Sequence, residues 1–486
     1  MVAVGGGAKR KIFSSPTSSA VVIPKRLLKE QKPKKSLEKR EEKKKKAHVM
    51  REWIFQRRRR SSDQHRMVRE NAVTEGEFYF RFIRMSPCRF EHLLSLVGPK
   101  LMQKRTSIQD LMADADEFSS LADRFFLERM SPAERLTLTL RYLATGEGQD
   151  SLSLSLGISE TVIRDIVSDT CVNLWDVLSS GYVQPPRSDE DWIEISDQFY
   201  VLTGIVHCLG AVDAKQIMLE STNLPTPGGG PSPYQNYDHF FNLLLISSCD
   251  AHYCFNLVDI GSHVADADDV LDNSEMGTRF EAGKMNVPAP EELAGCSMSK
   301  LPYFLVGDSA FPLKHWLMKP YPGSISRSQK IFNCRIARAQ RFIENSNGVL
   351  AARWRVYRAP LRASVEEAQK ISLATVGLHN YLMMTETPSY CPRGFVDSAD
   401  ANGGLARGMW RDVIDQDQGR CALQPVPQSS LVSRIDAFAM GQREALSSFF
   451  MQEEAANFKR EQTEIERFRS RTVFEDSSMR RQFEMC

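Results

Sequence analysis

The amino-acid sequence predicts a mixed α/β fold from three observations. Helix-patterned segments come first, short apolar runs typical of strands follow from about residue 200, and a long basic helix comes after most of these runs. The 486 residues are 42% hydrophobic and 26% charged, which excludes collagen, a coiled-coil rod and a wholly disordered chain. The apolar runs are all shorter than the roughly 18 residues of a membrane-spanning helix, so we expect a protein with no membrane partner.

Positive charge is concentrated in residues 1–70, which hold 22 Lys and Arg against seven acidic residues. The rest of the chain is therefore acidic, although the net charge of the whole is only +2. A segment with so little apolar surface is not expected to fold alone, and we interpret residues 1–70 as a disordered basic arm. Three roles of this arm are open: a nuclear-import signal, a segment that binds nucleic-acid phosphates, or a solubilising tail. The first two roles are compatible with each other.

Residues 78–185 have the apolar spacing of a helical domain. Ser131–Glu134 predicts a helix start with a capping box. A short helical segment, a turn at Gly157 and a helix capped by Ser159 then follow in the order of a helix-turn-helix. In a DNA-reading motif of this kind Arg164 would face the bases, whereas a module that serves only packing has the same pattern.

Residues 200–385 form the predicted α/β domain, and its main helix covers residues 331–353. A stretch at about 272–302, rich in Gly, Pro and Glu, is interpreted as an insertion or long loop. Residues 386–486 are interpreted as a loop-rich C-terminal region in which about 436–468 could form a helix. The strand-like runs are Leu209–Val212, Phe240–Ile246, Phe255–Ile260 and Tyr303–Val306.

Acidic residues follow two of these runs directly: Asp213 after the first and Asp308 after the last. Glu344 lies beside the apolar face of the predicted helix, where it could reach the strand ends. Three carboxylates without His or Cys suit Mg²⁺ or Mn²⁺ rather than Zn²⁺. Two such ions about 3.5–4 Å apart can activate a water or a 3′-hydroxyl and stabilise the leaving oxygen of a phosphodiester.

Spacing alone leaves other interpretations open, because acids at strand ends are often merely solvated. Asp250 or Asp259 could also take the place of one ligand if the strand register differs. Three arginines of the predicted helix would draw a phosphate backbone toward the acids, unless they form an ordinary exposed helix face. They are Arg335, Arg338 and Arg341.

At these residues the sequence closely resembles the PIF/Harbinger superfamily of DDE transposases, including its domesticated animal nuclease branch. The similar blocks follow one another in family order over about residues 50–415. They are Arg84–Pro87, Leu140–Gly146, Gly210–Lys215, Tyr234–Phe241, Val258–Gly261, Val306–Leu313, Pro320–Gly323, Phe332–Asn345 and Arg353–Arg355.

This resemblance implies an RNase H-like fold for residues 200–385, with Asp213, Asp308 and Glu344 as the catalytic, metal-binding triad for two divalent ions. It implies cut-and-paste chemistry on DNA in the nucleus, alongside a Myb-like DNA-binding partner protein. Lys215 and Arg164 join the three helix arginines as expected DNA contacts. A homo-oligomer and an additional cytoplasmic pool are further expectations.

Two departures from the family pattern affect the expected site. Ala214-Lys215-Gln216 stands where the family often has Gly-Lys-His. Ser346-Asn347-Gly348 stands where it usually has Ala-Phe-Gly, which removes an apolar residue behind the catalytic helix. The sequence therefore predicts a metal-dependent DNA endonuclease of transposase ancestry, hydrolysing or transferring phosphodiester bonds. Its alternatives are a catalytically silent domesticated protein that binds DNA or chromatin, and a structural adaptor.

Overall fold

The computed structural model describes residues 76–103, 130–220, 241–262, 271, 274–399, 405–426 and 436–455. All of these lie within one compact unit, residues 57–486. The predicted basic arm, 1–70, lies outside the described residues, as does most of the Tyr-rich block that contributes to the family resemblance. Within the described ranges, no helix is long and apolar enough to cross a bilayer.

Six helices precede the sheet in the described ranges, and several of their ends follow the sequence signals, although the second helix continues through Gly98 and Pro99. Ser131 and Glu134 form the predicted capping box, and Gly146 ends that helix in the left-handed conformation, at φ 63°. Gly157, at φ 66°, separates the two helices of the predicted helix-turn-helix. The six are α1 (Gly76–Ile83), α2 (Pro87–Gln103), α3 (Pro132–Thr145), α4 (Gln149–Leu156), α5 (Glu160–Tyr182) and α6 (Asp189–Thr203).

A mixed sheet forms the centre of the fold, in the strand order β3-β2-β1-β4-β5. The first three strands are antiparallel neighbours, whereas β4 pairs parallel with both β1 and β5. A further strand, β8, pairs antiparallel with β1. The strands are β1 (Cys208–Leu219), β2 (Phe241–Cys249), β3 (Phe255–Ser262), β4 (Phe304–Val306), β5 (Leu317–Met318), β6 (Ser398–Ala399), β7 (Leu405–Ala406) and β8 (Leu423–Pro425). The predicted mixed α/β class is confirmed.

Helices after β3 cover both faces of this sheet. The long basic helix begins at Arg327, four residues earlier than the sequence predicts, because Ser326 caps it and Gln329 completes a capping box. These helices are α7 (Glu275–Glu281), α8 (Arg327–Arg353), α9 (Val365–Thr385), α10 (Thr387–Tyr390) and α11 (Met409–Asp415), with a 3₁₀ turn at Arg355–Arg358. Residues 437–455 are also helical.

The helical segment and the α8 face of the sheet share one hydrophobic core. Leu140 of α3 and Leu174 of α5 belong to the same buried cluster as Leu245 of β2 and Leu378 of α9. Because apolar area removed from water stabilises a fold at about 25 cal/mol per Å², this shared core fixes the helices against the sheet. The sheet and α8 therefore rest on a wide apolar support.

The opposite face of the sheet is covered partly by the stretch interpreted as an insertion or loop. That interpretation needs correction, because α7 lies in it and buries Met276 and Phe280 against Trp192 and Trp316. Glu291 and Leu301 also form an antiparallel bridge. A stretch rich in Gly and Pro thus contains a short helix, and two apolar side chains of this helix help to cover one face of the sheet.

The C-terminal region packs on the fold as well. Residues 437–455 lie in the predicted 436–468 helix, whose end falls outside the described residues. Leu446 and Phe450 of this helix are fully buried in one cluster with Phe332 and Ile336 of α8. This helix therefore supports the long basic helix from the side.

Candidate functional site

Asp213 lies where β1 changes partners. Ala211 pairs with Val306 at the end of β4, and Lys215 pairs with Pro425 of β8. Asp213 sits between these two pairings and is only 6% exposed. Since alternate strand residues face the same side of a sheet, its side chain shares the α8 face with Ala211 and Lys215.

Asp308 follows β4 by two residues, on the strand that neighbours β1. Its Oδ1 accepts a hydrogen bond of 2.8 Å from the backbone N–H of Ala310, which fixes the carboxylate on a tight turn. The two strands are joined by Gln340 of α8, whose Nε2 donates to the carbonyls of Val306, at 2.5 Å, and Val212, at 3.3 Å. This amide therefore joins the middle of β1, which carries Asp213, to the end of β4, which precedes Asp308.

Glu344 lies one turn after Gln340 on α8, and its side chain is 51% exposed. Three residues further, the Asn347 Nδ2 donates to Asp213 Oδ2 at 3.0 Å. Residues three and four apart on a helix lie on one face, so α8 directs an acid and two amides toward the strand ends. Together, Asp213, Asp308 and Glu344 are called the candidate site below.

The three carboxylates influence one another electrostatically. Burial and then the charge of Asp213 raise the pKa of Asp308 above its usual value. The same two causes, in the same order, raise the pKa of Glu344. Like charges raise carboxyl pKa values in this way only when they lie close together in a partly buried place. The predicted acids therefore converge on one region of the protein.

Two cations contact this region. Lys215 Nζ lies 2.8 Å from Asp213 Oδ2, and Arg411 Nη2 lies 3.6 Å from Glu344 Oε2. Burial lowers the pKa of Lys215, but the carboxylate of Asp213, helped by those of Glu344 and Asp308, raises it overall. The lysine ammonium is thus held in its charged form by all three acids.

The donor set suits a hard divalent cation, but its arrangement here is not a finished cage. Among the described residues, no group of three or more His, Cys, Asp or Glu side chains is close enough to hold a metal ion. Both donors to Asp213 in the described part of the chain use Oδ2, which leaves Oδ1 for a ligand. The buried Oδ1 of Asn347 also has no hydrogen-bond partner there. Carboxylate and amide oxygens are the ligands that Mg²⁺ and Mn²⁺ prefer.

The arginines predicted to contact DNA lie in different surroundings. Arg335 Nη1 donates to the Gly204 carbonyl and to Glu453 Oε2, each at 2.6 Å. Its guanidinium also lies over the Phe450 ring, so the structure gives this arginine a role in packing. Arg338, by contrast, is exposed on α8.

Two further predicted contacts are partly exposed. Arg341 lies on α8 one turn beyond the exposed arginine, and it is half-buried. Arg164, at the start of α5, forms an ion pair of 3.6 Å with Glu367 of α9. Its side chain is 41% exposed, so it remains accessible from the surface.

A buried polar cluster behind Glu344 was not predicted from the sequence. Asn345 Oδ1 accepts from Trp410 Nε1 and from the Asp397 N–H, each at 2.9 Å. Arg411 in turn donates to both carboxylate oxygens of Asp397. Asn345, Asp397, Trp410 and Arg411 are called the anchor cluster below. The anchor cluster joins α8 to α11 and brings Arg411 to Glu344.

The departure at Ser346-Asn347-Gly348 is explained by these contacts. Ser346 donates to the carbonyl of Tyr253, and Asn347 donates to Asp213, so polar bonds replace the expected apolar contact. Gly348 allows the Trp410 ring to approach, because a Cβ there would lie 2.4–2.6 Å from ring atoms. The sequence signal for Asn347 was its spacing of three from Glu344 on one helix.

Comparison with known proteins finds a family match over part of this chain. Residues 232–380 match the family described as DDE superfamily endonuclease, a range that contains Asp308 and Glu344. The protein named "Protein ALP1-like" from Arabidopsis thaliana is 25% identical, over 58% of this chain and 64% of its own length. No solved structure matches the chain.

Two vertebrate relatives carry the name "Putative nuclease HARBI1". The one from Xenopus laevis is 28% identical and the one from Bos taurus 25% identical, each over 52% of this chain and 67% of its own length. The chain thus spans about two thirds of the length of the curated relatives it matches. The matched endonuclease family and these relatives together support a protein of the Harbinger-derived DDE transposase family.

Proposed function

We propose that the protein is a metal-dependent DNA endonuclease of transposase ancestry, which hydrolyses or transfers phosphodiester bonds. The match of residues 232–380 to a family described as DDE superfamily endonuclease supports this proposal. The observation that carries it is the convergence of Asp213, Asp308 and Glu344, in which the charge of Asp213 raises the pKa of both other acids.

The proposal includes an RNase H-like fold for residues 200–385. Its support is the mixed sheet, in which the antiparallel strands β1 to β3 are followed by β4 parallel to β1. Asp213 and Asp308 lie on or just after the paired strands β1 and β4. The helix α8, which carries Glu344, packs across these two strands. This placement is what the family resemblance implies for catalytic residues.

The chain's own residues would hold the metal and order the site. Asp213, the most buried of the three predicted acids, would hold the metal together with Asp308 and Glu344. Two bound Mg²⁺ or Mn²⁺ ions would supply an activated water or 3′-hydroxyl and stabilise the leaving oxygen. Gln340 joins β1 to β4, and Asn347 orients the Asp213 carboxylate.

DNA is the proposed substrate, and exposed cations near α8 would bind its phosphates. Arg338 and Arg341 suit this role, with Arg164 further away on α5. Lys215 could reach a phosphate only after leaving Asp213, and Arg335 is already occupied. A Myb-like partner protein and self-association are proposed on the family resemblance.

Nuclear localisation is proposed from the basic residues 1–70. Lys43–Lys46 and Arg57–Arg60 are unbroken basic runs of four residues in this segment. Deleting residues 1–60 from a fluorescently tagged full chain should reduce its nuclear fraction in cells. An unchanged nuclear fraction would remove this role from the arm.

The nuclease assay compares the full-length protein with Asp308→Asn and Asp259→Asn on plasmid and candidate terminal-repeat DNA, with Mg²⁺, Mn²⁺ or EDTA. Asp259 is the control because its carboxylate lies on β3 and accepts the N–H of Glu275 at 2.6 Å. Wild type and Asp259→Asn should cut, EDTA should stop both, and Asp308→Asn should lose at least about 10³-fold in rate, as expected when a group essential to the chemical step is removed.

A catalytically silent DNA- or chromatin-binding protein is the second candidate function. The ion pair between Lys215 and Asp213 favours it, because an ammonium already neutralises the carboxylate that would bind the metal. DNA binding by wild type and Asp308→Asn, with no cutting by either in Mg²⁺ or Mn²⁺, would support this second function and contradict the first.

A further inference from the structure

Lys215 is the cation that most directly faces the candidate site. It lies two residues after Asp213 on β1, so both side chains share one face of the sheet. The Nζ to Oδ2 distance is 2.8 Å, and the two side chains are only 20% and 8% exposed. A pair so close and so little hydrated is a strong contact.

A carboxylate this deeply buried needs a counter-charge. Placing an unpaired carboxylate away from water is costly, and two neighbouring carboxylates increase the cost by repulsion. Arg411 compensates part of the negative charge through Glu344, but both oxygens of Asp397 already accept hydrogen bonds from its guanidinium. Lys215 is therefore the principal compensating charge at Asp213.

A divalent ion bound to the other oxygen of Asp213, Oδ1, would lie next to the lysine ammonium on Oδ2. An ion at about 2.0–2.1 Å from an Asp213 oxygen would lie beside the ammonium, and the two cations would repel each other. Lysine has a flexible four-carbon stem, and its 20% exposure leaves a route to solvent. Asn347 also donates to Oδ2, so it can hold the carboxylate in place when the lysine leaves.

We propose that Lys215 is a resident counter-ion of the candidate site, which a divalent metal ion must displace from Asp213 before the site is complete. This inference rests on the proposed metal site. Lys215 is thus a positioning residue that stabilises the metal-free protein and weakens metal binding. The ion pair and the incomplete ligand cage then describe one state of an active protein, and loss of catalysis is not needed to explain them.

The proposal predicts tighter metal binding when the positive charge is removed. Mn²⁺ binding to the full-length protein is measured by electron paramagnetic resonance of the free ion, for wild type, Lys215→Met and Lys215→Arg. Lys215→Met should bind Mn²⁺ about 10- to 100-fold more tightly, because one competing charge is gone. Lys215→Arg should stay within about threefold of wild type, because the charge remains.

Lys314→Met is the matched control. Lys314 Nζ lies 2.6 Å from Glu281 Oε1 and is 16% exposed, so it resembles Lys215 in pairing and burial but lies outside the candidate site. Its removal should leave Mn²⁺ affinity unchanged. Lys215→Gln gives a second neutral variant if Lys215→Met does not fold. In EDTA, the neutral variants should melt about 2 °C below wild type, and Mn²⁺ should raise their melting temperature more.

The outcomes separate this inference from the function on which it rests. Equal Mn²⁺ affinity in wild type and the neutral variants would overturn the role of Lys215 and leave the metal site standing. Equal tightening by Arg, Met and Gln would also overturn it, because the effect would then not depend on charge. Absence of Mn²⁺ binding in every variant, including the neutral ones, would overturn both the inference and the proposed metal site.

Discussion

Adjacent residues of α8 belong to two regions with opposite electrostatics. Glu344 is 51% exposed in the candidate site, whereas Asn345 is 1% exposed in the anchor cluster. Each region contains a deeply buried aspartate, Asp213 in the first and Asp397 in the second. Asp397 receives donors at both oxygens, from Arg411 and from the Gly408 N–H, while the donors that reach Asp213 from the described residues all use Oδ2.

The difference shows how a helix can carry both support and chemistry. Burial raises the pKa of Asp397, but Arg411 and the Gly408 N–H more than offset it, so the pKa is lowered and the charge stabilises the fold. Burial and Asp213 raise the pKa of Asp308, so its charge opposes folding. Unsatisfied charge of this kind is expected where a ligand must bind.

The largest change in the free energy of unfolding is expected for a substitution in the anchor cluster. Asp397→Asn should lower the free energy of unfolding by about 3–4 kcal/mol, because an amide cannot accept all of the Arg411 donors and leaves that charge poorly paired. Chemical denaturation of the variant and of Asp412→Asn gives the comparison. Asp412 lies on α11, the short helix that carries Arg411, and its side chain is 69% exposed, so its change should stay within about 0.5 kcal/mol. If Asp397→Asn and Asp412→Asn lowered the free energy of unfolding equally, the charge of Asp397 would not stabilise the fold more than an exposed acid does.

A buried histidine, His379, predicts a pH dependence of the free energy of unfolding. His379 donates from Nε2 to the Tyr253 carbonyl at 2.9 Å and accepts from the Tyr390 hydroxyl at Nδ1, at 3.2 Å. Burial lowers its pKa from 6.5 to about 4. Between these values the unfolded chain takes up a proton that the folded protein does not, so stability falls as the pH falls through this window.

That loss should be about 3 kcal/mol from pH 6.5 to 4, measured by denaturant unfolding at several pH values. His379→Asn should flatten this part of the profile, whereas His252→Asn, on an exposed turn, should not. A profile that is unchanged by His379→Asn would show that this imidazole is not buried in its neutral form.

A substitution in the candidate site should change the free energy of unfolding less than Asp397→Asn does, and in the opposite direction. Asp308→Asn should raise the free energy of unfolding at neutral pH by about 1 kcal/mol, because it removes a repelled charge while its amide oxygen still accepts the Ala310 N–H. The gain should shrink as the pH falls toward the raised pKa of Asp308, since the wild-type carboxyl then becomes neutral in the folded state. A destabilised Asp308→Asn at neutral pH would mean that the charge at this position is already well paired.

The sequence predicted the parts of the site that follow from local pattern. The apolar run before Asp308 ends as predicted, and helical spacing placed Glu344 on α8, whereas β1 continues past Asp213 to Leu219 instead of ending before it. Lys215 could also have been placed on the face of Asp213, because it lies two residues along one strand. Its pairing with that acid was not inferred, since a charge beside a carboxylate can equally turn to solvent.

The remaining contacts join distant parts of the chain and leave no local signal. Arg335 pairs with Glu453, 118 residues away, so an arginine expected at DNA serves packing instead. The bond between Asn345 and Asp397 spans 52 residues, and it draws a region interpreted as loop-rich onto α8. Both pairs depend on how whole helices pack, which periodicity does not determine.

The most direct test of the central claim is the anomalous diffraction of Mn²⁺ in crystals of the full-length protein. The account predicts an anomalous peak within bonding distance of the Asp213 and Asp308 carboxylates and beside Glu344, with the Lys215 ammonium moved away from Asp213. Saturating Mn²⁺ with no peak among these three acids, and with Lys215 still paired to Asp213, would contradict it.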